Sequence, residues 1–152
     1  MFKIAIGADD AGYDFKTILI EMLQVNPKVS LVIDVGVNKN EETFYPNIAF
    51  LASEKVKSGE VDRAILICGT GIGMQISANK VSGVRATVAH DSYSVQRSIL
   101  SNDCQILTFG ARVIDIDLAK KLTLEWLTYE FDKQSLSAAK VHEITKYESG
   151  VK

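Results

Sequence analysis

The sequence predicts an α/β protein in which helices cover both faces of a parallel five-stranded sheet. Short apolar runs alternate with segments of helical periodicity along the whole chain. The apolar runs are continuous, which is typical of strands that are buried on both faces. A length of 152 residues with 47% hydrophobic side chains is sufficient for one domain, residues 1–152, with a sizeable core.

The first half of the chain supplies two strands and two helices. An apolar run over residues 3–8 predicts the first strand. Helical spacing over residues 13–24 then places an apolar stripe on one face, made of Phe15, Ile18, Leu19, Met22 and Leu23. A second strand over residues 30–35 stops at Gly36, and a polar loop over residues 38–43 follows. Pro46 begins a helix predicted over residues 47–57, which ends near Gly59.

The second half repeats this alternation and adds one helix. Its predicted strands are residues 63–67, 84–89 and 104–108. Its predicted helices are residues 72 to about 80, a segment capped by Asp91 or Ser92 that runs to Leu100, residues 115–129 and residues 135–147. Right-handed crossovers between these units give a three-layer, doubly wound sheet in flavodoxin-like order. The appended C-terminal helix is expected to pack on a partner subunit or on its own sheet.

Composition and charge narrow the function classes. The net charge is −2 and no basic cluster occurs, so nucleic acid is not an expected partner. No signal peptide or membrane span is recognisable, so we expect a cytoplasmic protein without membrane contact. Two cysteines, Cys68 and Cys104, argue against a disulfide framework. Two histidines without a Cys-x-x-Cys pair predict neither a bound metal nor a cofactor.

The segment from Cys68 to Gly73 carries the clearest chemical signal. Cys68 ends the third strand, and glycines follow it at positions 69, 71 and 73. Glycines let backbone N–H groups approach a ligand closely, and a helix N-terminus adds partial positive charge. Such groups favour a thiolate, so Cys68 is predicted to act as a proton-transfer base or nucleophile. A free cysteine is more often a small buried residue, but this one lies at the ligand-binding edge of the sheet.

A dinucleotide-binding fingerprint is the main alternative for this glycine loop. Its third glycine position holds Met74 or Ile76, according to the frame, and the loop follows the third strand instead of the first. The lysine of a phosphate-binding P-loop is missing as well. A loop that holds an enediolate or a phosphate fits the sequence better.

Other polar residues are predicted at the same edge of the sheet, and each has a second explanation. Asp9 and Asp10 can handle protons together, or they can form a solvated turn that caps the first helix. His90 ends the fourth strand and is a candidate site residue. Arg112 can contact a phosphate or pair with a surface acid, and Tyr45 can simply anchor the start of a helix.

Seven segments together resemble the ribose 5-phosphate isomerase B / galactose 6-phosphate isomerase family, nearly end to end. They are residues 4–12, 44–47, 67–73, 78–80, 83–86, 101–103 and 109–112. The most specific of them is Cys-Gly-Thr-Gly-x-Gly, followed by Ala-Asn-Lys. The resemblance implies a flavodoxin-like sheet and a homodimer or tetramer whose active sites are shared between subunits.

The resemblance also implies a reaction, the metal-free aldose–ketose isomerisation of a phosphorylated sugar of the ribose 5-phosphate/ribulose 5-phosphate type. Cys68 would be the base that moves a proton between C1 and C2 through a cis-enediolate. The enediolate oxygens would be stabilised by backbone amides, those of Gly69, Thr70, Gly71 and Gly73. Asn102 and Asp9 would hold sugar hydroxyls, Tyr45 would line the pocket, and Arg112 would contact phosphate or a hydroxyl.

This chain departs from the family pattern at three places, and each affects a residue role that the resemblance implies. Asp10 and Ser101 stand where the family commonly has histidines, and the second of these histidines helps to open the cyclic sugar. The family's C-terminal Gly-Gly-Arg-His-x-x-Arg segment, which supplies phosphate-binding arginines, is replaced by residues 133–140. Lys140 offers a point charge there in place of a bidentate fork.

The departures predict weak turnover of ribose 5-phosphate by this chain alone. One hypothesis is a substrate too short to cyclise, such as a tetrose phosphate. Another is a paralogous partner subunit that supplies the histidine, as in heteromeric galactose 6-phosphate isomerases. A non-catalytic sugar-phosphate-binding protein and a flavin-binding protein are further alternatives, but the intact loop from Cys68 to Gly73 favours an isomerase.

Overall fold

Five parallel strands form the central sheet in a computed structural model, which describes residues 1–150. In chain order they are β1 (Phe2–Ala8), β2 (Val29–Asp34), β3 (Arg63–Cys68), β4 (Ala86–Val88) and β5 (Ile106–Gly110). The helices are α1 (Tyr13–Gln24), α2 (Tyr45–Lys57), α3 (Ile72–Ala78), α4 (Ser92–Leu100), α5 (Ile116–Trp126) and α6 (Leu136–Glu148). The predicted alternation of strands and helices is confirmed.

Helices cover both faces of the sheet and bury a core on each. Apolar side chains of α1, α4 and α5 pack on one face, and those of α2 and α3 pack on the other. The strand order is β2-β1-β3-β5-β4. The fold is therefore flavodoxin-like as predicted, but its last two strands are exchanged relative to flavodoxin itself. This exchange places β5, and not β4, beside the strand that ends in Cys68.

The fifth strand begins two residues later than predicted and extends to Gly110. The predicted start, Cys104, lies in the preceding loop, because its N–H donates to the Ser98 carbonyl (2.9 Å) and Asp103 is left-handed with φ +48°. Cys104 is buried, and burial raises the pKa of its thiol to about 11. A thiol in this state fits the expected structural role.

The fourth strand is shorter than predicted, because it is the edge strand and its free side meets side chains of α3. The Ala86 N–H donates to Asn79 Oδ1 (2.8 Å), and the Val88 N–H donates to Gln75 Oε1 (3.0 Å). These side chains occupy an edge that another strand would otherwise use. The asparagine of the Ala-Asn-Lys segment is thus structural.

The α1 helix has its predicted bounds, and the remaining boundaries differ from prediction by at most three residues. The α2 helix begins at Tyr45, with Pro46 in its first turn, where the ring of proline is tolerated. Asp91 caps α4 as predicted, and its carboxylate accepts the Ser94 N–H (2.8 Å). In the appended helix α6, Val141 is the buried residue. No helix within residues 1–150 is long and apolar enough to cross a membrane.

Candidate active site

Cys68 is the last residue of β3 and lies beside Gly110 of β5. Its side chain is buried, and Sγ accepts the N–H of Gly71 at 3.1 Å. A donor aimed at sulfur stabilises a negative charge there. The sheet therefore holds the thiol at its carboxyl edge in a position suited to proton transfer.

The loop after Cys68 turns sharply at Gly71, which is left-handed with φ +79°. A Cβ at this position would lie 2.9 Å from the Phe109 carbonyl carbon, so only glycine fits. The Gly71 carbonyl accepts the hydroxyl of Thr108 at 2.8 Å in a buried position. The loop is thus joined to β5 by a buried hydrogen bond.

Three backbone amides of this loop remain available for a ligand. Within residues 1–150, the N–H groups of Gly69, Thr70 and Gly73 find no backbone or side-chain acceptor. Three such donors close to a thiol can hold the oxygens of an enediolate. The fourth predicted amide, that of Gly71, donates to Cys68 Sγ instead.

The end of β5 packs directly against the glycine loop. A Cβ on Gly110 would lie 2.7 Å from the Cα of Thr70, so these two backbones are in direct contact. The Gly110 N–H donates to Nε2 of His90 at 3.0 Å, and burial lowers the pKa of His90. The imidazole of His90 is therefore neutral, and its Nε2 already accepts the Gly110 N–H.

Asp9 and Arg112 lie on either side of the loop. The Asp9 N–H donates to the Ile67 carbonyl (3.2 Å), which joins the ends of β1 and β3. Burial raises the pKa of Asp9, although its carboxylate accepts the Gly12 N–H (3.2 Å). The guanidinium of Arg112 covers Gly69, because a Cβ there would lie 3.3 Å from Nη1. A proton-accepting carboxylate and a cation thus lie beside the thiol.

Tyr45 and Asp10 are at the same edge of the sheet but differ in their surroundings. The Tyr45 ring packs on Gly73, since a Cβ on this glycine would lie 2.5 Å from Cζ. Asp10 is exposed and lines a hollow with Glu42, Thr43 and Phe44. Because Asp10 and Glu42 are both acidic, this hollow disfavours a phosphate.

Three predicted site residues lie elsewhere in the chain's own fold. Ser101 and Asn102 belong to the loop that enters β5, at the amino edge of the sheet, where Gln105 accepts the N–H of Ala64. Ala64 and Cys68 are four residues apart on β3, or roughly 13 Å. Lys140 is on α6, whose Ile144 lines a hollow with Asn102. One copy of the chain does not bring these residues to its own Cys68.

One residue with a clear part in the geometry, Thr108, was not identified from the sequence. A hydroxyl within an otherwise apolar strand is the signal that could have revealed it. Groups of three or more His, Cys, Asp or Glu side chains that could hold a metal ion do not occur among residues 1–150.

Comparison with known proteins agrees with this geometry. Residues 4–144 match the family model described as Ribose/Galactose Isomerase. The chain is 55% identical to D-erythrulose-4-phosphate isomerase 2 of Mycolicibacterium smegmatis over 96% of this chain and 97% of that protein. It is 45% identical to D-erythrulose-4-phosphate isomerase of Pectobacterium atrosepticum, over 97% and 96%. The solved Ribose-5-Phosphate Isomerase B of Clostridium thermocellum superposes with a TM-score of 0.92 at 41% identity, over 99% of both chains.

Proposed function

The chain belongs to the ribose/galactose isomerase family and is a sugar-phosphate aldose–ketose isomerase, and we propose that its substrate is a four-carbon sugar phosphate. The reaction would interconvert D-erythrulose 4-phosphate and the corresponding aldotetrose 4-phosphate. Two relatives with this ketose in their names, at 55% and 45% identity, support the assignment.

The observation that carries the proposal is the lack of an imidazole at two positions, Asp10 and Ser101. Opening a cyclic sugar requires a group that passes a proton to the ring oxygen near neutral pH, which neither residue does well. In a tetrose 4-phosphate the C4 oxygen carries the phosphoryl group, so no hydroxyl remains to close a five- or six-membered ring. A substrate that is always open-chain makes the missing histidines unnecessary.

The proton transfer would be carried out by Cys68. The thiolate removes a proton from C1 of the ketose, the carbonyl oxygen on C2 becomes an enediolate oxygen, and the proton returns to C2 to give the aldose. The free amides of Gly69, Thr70 and Gly73 stabilise the charge on that oxygen. Asp9 holds the C1 hydroxyl, accepts its proton as the C1 carbonyl forms and passes that proton to the C2 oxygen, because its raised pKa makes it a better base than an exposed carboxylate.

Arg112 and Tyr45 would complete this half of the site. Arg112 lies over Gly69 and can bind a hydroxyl or phosphate of the substrate, while the Tyr45 ring closes one side of the pocket. The proposed reaction uses no metal, because the amides take the role of a Lewis acid.

A second copy of the chain would supply the other half. Asn102, which would hold a sugar hydroxyl, lies at the opposite edge of the sheet from Cys68. The α3 helix exposes Ile72 and Ile76, which are four residues apart and therefore on one face. Antiparallel packing of two α3 helices across a twofold axis would place the amino edge of one sheet near the carboxyl edge of the other. This arrangement supports a homodimer or a dimer of dimers.

The proposal is tested with a panel of four-, five- and six-carbon sugar phosphates after dialysis against a chelator. We expect kcat/KM for D-erythrulose 4-phosphate to exceed that for ribose 5-phosphate by about tenfold or more. Cys68→Ala and Cys68→Ser should lower turnover by about 10²–10⁴-fold with the fold intact, as for loss of a general base.

Several outcomes would contradict parts of this proposal. Ribose 5-phosphate turnover with kcat/KM of about 10⁴ M⁻¹s⁻¹ or above, equal to that for the tetrose phosphate, would refute the chain-length assignment. Six-carbon activity that needs a paralogous subunit would favour the heteromeric alternative. Activity lost to the chelator and restored by a divalent ion would contradict the metal-free mechanism, and full activity in both Cys68 variants would exclude this residue as the base.

A further inference from the structure

A hollow of about 500 Å³ opens at the amino edge of the sheet, around the end of α4. Its lining includes two arginines, Arg85 and Arg97, together with Asn102 and Ile144. Because Asn102 is the residue expected to enter the site of a second copy, the side chains around it would accompany it there.

The two arginines of the hollow differ in how they are neutralised. Arg85 forms an ion pair with Asp103 (2.9 Å), and its Nε donates to the carbonyls of Asn102 and Asp103 (both 3.0 Å). Arg97 forms no ion pair within residues 1–150. Its Nε and Nη2 both donate to the hydroxyl oxygen of Ser101 (2.8 Å for Nε). The remaining N–H groups of this partly buried guanidinium are unused by the residues described.

We propose that Arg97 binds the phosphate of the substrate in the active site of a second copy of this chain, and that Ser101 orients it. The inference rests on the function and the shared site proposed above. The Ser101 hydroxyl oxygen accepts hydrogen bonds from Nε and Nη2 of the guanidinium, which fixes the side chain. Nη1 is left free to donate to a phosphate oxygen. Ser101 stands where the family commonly has a histidine. It would therefore position the Arg97 cation where the family places a proton-transfer group.

The other arginines have different positions or partners. The chain contains four, at positions 63, 85, 97 and 112. Arg63 donates to the carbonyls of Trp126 (2.8 Å) and Tyr129 (2.6 Å) inside the fold. Arg85 is paired, and Arg112 lies over Gly69 in the half of the site that holds the thiol. A phosphate group carries close to two negative charges, so a contact with Arg112 still leaves charge for a second cation.

Kinetics of Arg97→Met and Arg97→Lys form the first test. We expect KM for the sugar phosphate to rise about 10–100-fold in Arg97→Met, as for the loss of a charged hydrogen bond, with a smaller change in kcat. Competitive inhibition by inorganic phosphate should weaken in the same proportion, and Arg97→Lys should restore part of both. Lys121→Met, which removes an exposed charge from α5, is the control and should match the wild type. An unchanged KM and phosphate inhibition in Arg97→Met would overturn the proposal.

Mixed dimers decide in which subunit Arg97 acts. Dimers with one Cys68→Ala chain and one Arg97→Met chain are purified on two different tags and assayed well below KM. If Arg97 serves the site of the other copy, one site of each mixed dimer has both residues intact, and about half of the wild-type kcat/KM should return. If Arg97 serves its own chain or only its own fold, activity should stay at the level of the Arg97→Met homodimer or below.

A second mixed dimer separates this inference from the proposed function. The pair Cys68→Ala with Asn102→Ala tests the shared site alone. Recovery with Asn102→Ala but not with Arg97→Met would reject Arg97 and retain the shared site, whereas no recovery in either pair would reject both. All variants are assayed on whichever sugar phosphate the wild-type protein converts, so a wrong carbon number would contradict the proposed function and leave the test of Arg97 valid.

Discussion

At the scale of single residues, Asp9 occupies a partly buried position beside the glycine loop. Burial is the largest influence on its carboxyl and raises its pKa, Asp10 raises it further, and the Gly12 N–H and Arg112 act in the opposite direction. A native-state pKa above the ordinary value means that the folded protein binds more protons than the unfolded chain between the two values. Stability therefore falls as pH rises through this window, and the penalty persists at neutral pH.

Asp9→Asn should remove this penalty, since the amide keeps an oxygen for the Gly12 N–H but carries no charge. We expect a free energy of unfolding at neutral pH equal to or above that of the wild type, and a flatter pH dependence above the ordinary pKa of an aspartate. Isomerase kcat/KM should fall about 10–100-fold as a charged hydrogen bond to substrate is lost. Urea unfolding at several pH values measures the first effect. Asp14→Asn, at an exposed carboxylate of α1, is the control.

A destabilised Asp9→Asn with a steeper pH dependence would contradict this account. Such a result would mean that the ionised carboxylate contributes to the stability of the turn. The expected combination, a more stable protein with lower activity, is typical of a residue kept for function.

The position of Cys68 could be predicted from the sequence because its signal is local, a strand end followed directly by glycines. Lys16 and Arg63 could not, since a charged residue in an amphipathic pattern is expected to be exposed. Lys16 is only 1% exposed because its Nζ meets both carboxylate oxygens of Asp34 (2.7 Å each) and the Val37 carbonyl (2.6 Å). Partners that lie 18 and 21 residues away are not visible in local periodicity.

At the scale of elements, one hydroxyl of β5 holds the glycine loop. Thr108 is fully buried, and its Oγ1 donates to the Gly71 carbonyl at 2.8 Å. Thr108→Val keeps the shape of the side chain but removes this donor, so the Gln75 N–H (3.1 Å) is the one that still reaches the Gly71 carbonyl among the residues described. We expect a loss of about 0.5–1.5 kcal/mol in the free energy of unfolding, as for one intramolecular hydrogen bond. We also expect a fall in kcat larger than any change in KM, because the amides near the thiol lose their fixed position.

Thr123→Val is the matched control for this prediction. The hydroxyl of Thr123 is also buried, on α5, but it has no hydrogen-bond partner among the residues described. Removing it should leave stability unchanged or increased, with activity unaffected. Equal stability of the two variants would mean that the bond from Thr108 to the loop contributes nothing.

The types and order of the elements could be predicted, while two details that shape the site could not. Periodicity identifies strands and helices but not the order of strands in the sheet, so it does not reveal that β5 lies next to β3. The late start of β5 follows from the left-handed Asp103 and the bond from Cys104 to Ser98, which extend the end of α4. These two facts together place Gly110 beside Cys68 and allow Thr70 to pack on it.

At the scale of the whole molecule, the family resemblance assigns to one active site residues that lie at opposite edges of the sheet in a single chain. Cys68 and Asp9 lie at the carboxyl edge of the sheet, whereas Asn102 lies at the amino edge. Sequence segments carry no information about this separation, because it follows from the direction of the strands. The spacing of roughly 13 Å along β3 is the physical reason to expect that a site containing both Cys68 and Asn102 needs two subunits.

Ile76→Glu should therefore affect assembly and activity together. The Ile76 side chain is 56% exposed on α3, and a buried carboxylate at an isologous contact would be placed near its own symmetry mate. We expect light scattering at micromolar concentration to report a species of 16.7 kDa in place of at least twice that mass. Activity should be lost in proportion, because Asn102 of a second copy no longer reaches the thiol. Val25→Glu, at an 83% exposed position after α1, is the control and should keep both. A stable monomer of either variant with full isomerase activity would exclude the shared site, since Cys68 and Asn102 of a single chain remain at opposite edges of its sheet.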